Sequence, residues 1–144
     1  MTIASRRARI GAAALTSMLA ALGACGGSDD KGKVESTVNG LYDALAAKDA
    51  GKVCASLTAA EQRKIEIAGA RGGRKPASCT ATLRVAFTLA GNALNAAKDA
   101  KVTQVNVNGS KATATVAYMD RKARLGLTKE GGDWKVSNLN LGGR

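Results

Sequence analysis

The stretch VTQVNVNGSKATATV, residues 102–116, decides the architecture, because within it the hydrophobic period of the chain is two rather than helical. Val105 and Val107 alternate with Asn106 and Asn108, and Asn108-Gly109 is a two-residue hairpin signal. The return segment places Ala112, Ala114, Val116 and Tyr118 on one face and Thr113, Thr115 and Ala117 on the other. A third strand alternates Ala123, Leu125 and Leu127 with Lys122, Arg124 and Thr128. Glu130-Gly131-Gly132-Asp133 turns again, and Trp134 and Val136 open a last strand expected to reach Leu139 and Leu141. The prediction is a four-stranded antiparallel meander.

Before this stretch the periodicity is helical. Val34, Val38, Leu41 and Leu45 recur on one face with Tyr42 beside them, while Glu35, Asn39, Asp43 and Lys48 lie off it. The pattern ends near Lys48-Asp49-Ala50-Gly51, and Val53, Cys54 and Leu57 mark a shorter helical segment. Thr58-Ala59-Ala60-Glu61 has the form of a capping box opening a third helix, with Ile65 or Ile67 and Ala68 on its apolar side. Arg71 to Pro76 is a basic loop. Ser78 caps a further helix carrying Cys79, Leu83, Phe87, Ala90 and Leu94 along one face, with Val85 and Leu89 roughly opposite. That helix is therefore expected to be covered on two sides and central. Helices first and strands afterwards indicate an α+β domain with the helices packed on one face of the sheet.

The first 24 residues have the composition of an export signal. Arg6, Arg7 and Arg9 precede the uncharged, mostly apolar run Ile10 to Leu22, shorter than the roughly 20 residues a spanning helix needs. Leu22-Gly23-Ala24-Cys25 resembles a bacterial lipobox, which implies acylation of Cys25 as the first residue of the mature protein. Arg6-Arg7 keeps twin-arginine export open beside the general route. Residues 25–33, CGGSDDKGK, are small and charged and are expected to be a flexible lipidated tether. About 110 residues remain, enough for a single core, so the domain is placed at 34–141. The expected location is the extracytoplasmic side of a cell membrane.

Three cysteines less Cys25 leave Cys54 and Cys79, which outside the cytoplasm are expected to form a disulfide; two separately buried thiols are the alternative. With no His in the chain, two thiolates do not complete a zinc shell, and neither a metal nor a cofactor is expected. The whole chain carries a net charge of +11; without Arg6, Arg7 and Arg9, 19 basic side chains face 11 acidic ones, a net of +8. Such a surface suits an anionic lipid surface, an anionic polymer of the wall, or no dedicated partner. Nucleic acid is not expected, since Phe, Tyr and Trp total four residues.

The helix around VNGLYDALAAKDAGKVCASLT, the SCTATL helix, the hairpin VTQVNVNGSKATATV and the closing GGDWKVSNL are similar to actinobacterial lipoproteins of the nuclear transport factor 2-like superfamily. The resemblance covers residues 34–141. It implies a curved sheet wrapped around the first helix as a cone, with a mostly apolar pocket lined by Tyr42, Leu45, Phe87, Val116, Tyr118 and Trp134. Relatives such as ketosteroid isomerase and SnoaL-like polyketide cyclases hold a carboxylate or His inside the cone. This chain has no His, and no Asp or Glu falls on the inward phase of its strands. The expected function is a non-catalytic, membrane-anchored binding module for a small apolar or amphipathic ligand or an envelope protein partner. An isomerase or cyclase using Tyr42 with Asp43, Asp120 or Asp133 is the competing reading, and homodimerisation through the open sheet face a further one.

Overall fold

The computed structural model describes residues 27–71, 75 and 77–139. The signal segment 1–24, Cys25 and Leu141 lie outside the described residues. The order is α1 (Gly27–Ala46), α2 (Ala50–Ser56), α3 (Ala59–Gly69), α4 (Cys79–Ala90), a 3-10 helix (Gly91–Asp99), then β1 (Lys101–Asn108), β2 (Lys111–Tyr118), β3 (Arg121–Glu130) and β4 (Asp133–Asn138). The strands pair in chain order, all antiparallel. The α+β class and the four-stranded meander are as the sequence predicts.

The inward face of the sheet, including Ala114, Val116, Leu125, Leu127 and Val136, closes on Val34, Val38, Leu41 and Leu45 of α1; all nine side chains are buried. Every residue of the predicted α1 stripe is thus in the core. Strand β1 holds Val102, Val105 and Val107 on that face only because an extra residue near Thr103 shifts the register between Val102 and Gln104. The turns follow their glycines. Gly131 and Gly132 both take positive φ between Glu130 and Asp133, as a tight hairpin demands. In the first hairpin Asn108 pairs with Lys111, so the turn is Gly109-Ser110, one residue later than expected.

Four further expectations need correction. Residues 27–33 are not a tether: α1 begins at Gly27, with Asp29 and Asp30 in its first turn, where carboxylates favour the helix dipole. Helix α4 is not covered on two sides, since Val85 and Leu89 are 53% and 83% exposed; it ends at Ala90, where Gly91 turns with φ +56°, leaving Leu94 on the 3-10 helix. The capping box is half formed. Thr58 Oγ1 accepts from the Glu61 N–H at 3.3 Å, but the Thr58 N–H donates to the Val136 carbonyl, and Glu61 accepts instead from the Leu139 N–H and Lys64 Nζ. Of the two α3 candidates for the apolar side, Ile65 takes the place: it packs against the core, whereas Ile67 is 65% exposed. Strand β4 stops at Asn138.

Candidate functional site

Helices α3 and α4 pack as a hairpin joined at Glu66–Cys79 and at Gly69–Thr82, with α4 also tied to α2. Ser78 and Thr58 cap the two helices, each side-chain oxygen accepting from the N–H three residues on. Glu66 Oε1 on α3 accepts the Cys79 N–H at 3.2 Å, one of the free donors at the start of α4. Cys79 is bonded to Cys54 of α2, with a Cα–Cα distance of 6.1 Å, so the expected disulfide is present. Gly69 supplies the closest approach: a Cβ there would sit 2.5 Å from Thr82 Oγ1, and that oxygen is buried without a hydrogen-bond partner.

Between the two helices lies a groove of about 570 Å³, walled by Ile65, Ala68, Ala81, Leu83, Val85 and Leu89 and rimmed by Arg71 and Lys75. Its floor is apolar and its rim cationic. That combination is complementary to the two parts of an amphipathic molecule, a hydrocarbon segment and an anionic end. Sequence reading registered Val85 and Leu89 as apolar but assigned them to burial. The signal against that was Arg84 and Thr88 beside them, both exposed.

The residues singled out for the cone lie elsewhere. Tyr42, Leu45, Phe87, Val116 and Trp134 are buried in the core and Tyr118 packs against it. Tyr42 and Tyr118 meet with ring centroids 6.2 Å apart, and the Tyr118 hydroxyl reaches the Ala93 carbonyl at 3.5 Å. Burial, and secondarily the Tyr118 phenol, pushes the Tyr42 phenol above its usual pKa. Trp134 also walls a 610 Å³ groove with Ser36, Thr37, Lys52, Gly132 and Lys135, and Phe87 a separate 390 Å³ cleft with Lys48 and Arg84. The six thus belong to or pack against one core cluster, while Trp134 and Phe87 border different clefts.

Asp43, Asp120 and Asp133 are exposed, and no carboxylate is hydrogen-bonded to Tyr42 among the described residues. No group of three or more His, Cys, Asp or Glu able to hold a metal occurs among the described residues. No helix among them is long and apolar enough to cross a membrane.

A carboxylate that sequence reading placed in the tether organises the other end of the fold. Asp30 Oδ1 accepts from Trp134 Nε1 at 3.1 Å and from Lys129 Nζ at 3.0 Å, with the same ammonium 5.7 Å from the indole ring centre. Lys129 and Trp134 hold its carboxyl below the usual carboxylate range. No protein-family model, curated protein sequence or solved structure matches the chain.

Proposed function

We propose that this chain is a cell-envelope lipoprotein, exported and anchored through acylated Cys25, whose domain is a non-catalytic module binding a small amphipathic molecule in the α3–α4 groove. The observation that carries the reading is the groove itself: an apolar trough in which Leu89 stands 83% exposed, with two cations at its edge. Covering a leucine or valine is worth about 1.5–3 kcal/mol per side chain, and Val85 and Leu89 both stand open to be covered. The anchor reading is supported by the basic start, the apolar run and the Leu22-Gly23-Ala24-Cys25 motif. Packing of α1 across β1, β2 and β4 is compatible with the nuclear transport factor 2-like cone, to which we assign the fold.

Two measurements test the two halves separately. Native mass spectrometry of protein extracted from membranes should show a diacyl or triacyl group on Cys25; an intact, unacylated N-terminus rejects the anchor. A fluorescent single-chain fatty acid should bind the wild type and lose affinity at least tenfold in Leu89→Asp, about 1.4 kcal/mol. Equal binding by both proteins, with the fold unchanged by circular dichroism, rejects the groove.

A further inference from the structure

The sheet face turned away from the helices has a chemistry of its own. Register sets Lys101, Ala117 and Lys122 in one row, and Gln104, Thr115 and Arg124 in the next. Asn106, Thr113 and Gly126 form a third row, and Asn108, Lys111 and Thr128 a fourth. Lys101, Lys111, Lys122 and Arg124 are all exposed, and none of the four is in an ion pair among the described residues. The rows contain no Asp or Glu. Carboxylates occur only beyond their ends, at Asp99, at Asp120 in the β2–β3 turn, and at Glu130 and Asp133 flanking the β3–β4 turn. The bare Cα of Gly126 leaves a trough of about 400 Å³ over the third and fourth rows, edged by Thr113, Thr128, Ser137 and Asn106 with Val107, Ala112 and Leu127 also in its lining.

The layout selects among anionic partners. From the Lys122 row to the Lys111 row, six residues along β2, is about 20 Å at 3.4 Å per residue, so the cations are strung out rather than gathered at one point. No aromatic ring belongs to this face, because Tyr118 and Trp134 fall on the opposite phase of their strands and pack in or against the core. Sugar rings and bases therefore find no stacking platform. Ala117 is the sole apolar side chain in the four rows, so a bilayer interior gains little here. A second copy packed face to face would set these four cations against cations, which destabilises a sheet contact. Arg124 offers a planar fork suited to phosphate oxygens, and the hydroxyls between the cations donate to the same kind of oxygen.

We infer that this face binds a linear phosphate polymer, holding its backbone anions with Lys101, Lys122, Arg124 and Lys111 and reading none of its other groups. The assignment rests on the sheet alone and is independent of Cys25 and of the α3–α4 groove.

Long-chain inorganic polyphosphate, titrated onto the intact protein, is the probe. Binding should weaken with salt at a log–log slope of about −0.7 per contact, near −3 for four contacts. The triple variant Lys101→Gln, Lys122→Gln, Arg124→Gln should lose at least ~10-fold in affinity, while Lys31→Gln, Lys52→Gln, Arg63→Gln, with the same loss of net charge, stays within ~2-fold. Thr113→Glu, which removes no cation but puts a carboxylate in the third row, should weaken binding similarly and covers the case in which the first triple variant does not fold. Equal losses in the two triple variants would reduce the effect to net charge and overturn the site. So would tighter binding to oligothymidylate or hyaluronate than to polyphosphate, or retention on phosphatidylglycerol vesicles without polyphosphate binding.

Discussion

Asp30 and Trp134, 104 positions apart in the chain, are joined by a 3.1 Å hydrogen bond from the indole Nε1 to the carboxylate. The bond fastens the first turns of α1 to the start of β4, with Lys129 Nζ on the same oxygen. Because these partners lower the Asp30 pKa, their contribution to stability is present above the ordinary carboxylate value near 4 and is lost as pH falls through the lower folded value. Asp30→Asn should flatten the acid limb of a plot of Tm against pH and lower Tm at neutral pH by a few degrees. An acid limb identical to wild type would remove Asp30 from the account.

The disulfide gives a second expectation. Closing the 25-residue separation between Cys54 and Cys79 is worth about 3.5 kcal/mol on the chain-entropy account, so Cys54→Ala with Cys79→Ala should lose about 2–4 kcal/mol in urea unfolding. Dithiothreitol should reproduce the loss in the wild type and leave the double variant unchanged.

Gly69 should not accept a side chain. A methyl there meets Thr82 Oγ1 at 2.5 Å and Cγ2 at 2.7 Å, so Gly69→Ala should cost about 1–3 kcal/mol by pushing α3 from α4. Adding Thr82→Ala removes both atoms and should restore part of the loss. Additive costs in the double variant would place the strain elsewhere.

Alkaline unfolding reports on Tyr42. Its raised pKa means that stability is complete below the ordinary tyrosine value near 10 and falls as pH rises from there through the folded value. Tyr42→Phe should keep the neutral-pH stability within about 1 kcal/mol, since the phenol body fills the core, and should shift the alkaline midpoint upward.

Local patterns were legible in the sequence; long-range partnerships were not. The strands could be read because period two and the Gly131-Gly132 turn are written in adjacent residues, and the α1 stripe because its valines and leucines repeat at helical spacing. The start of α1 was misread because Gly-Gly-Ser-Asp-Asp looks solvated until Lys129 and Trp134 are brought to it. Glu61 shows the same effect: the Thr58 N–H that a capping box would bond is already taken by Val136, freeing the carboxylate for Leu139. Of the candidate site, the apolar residues of α4 were visible, but what fails to cover them depends on how many elements reach that side. The cation rows of the sheet needed the register across three strands.

The placement of β4 also makes it the element on which three helices close. Asp30 of α1, the bridge from Leu57 to Val136 at the end of α2, and Glu61 of α3 all find their partners in residues 134–139. A chain lacking β4 has its helices but not these contacts, so the domain closes as a unit only once β4 is in place. Cutting β4 away would therefore cost more than one strand, because it would release the first turn of α1, the end of α2 and the start of α3 together.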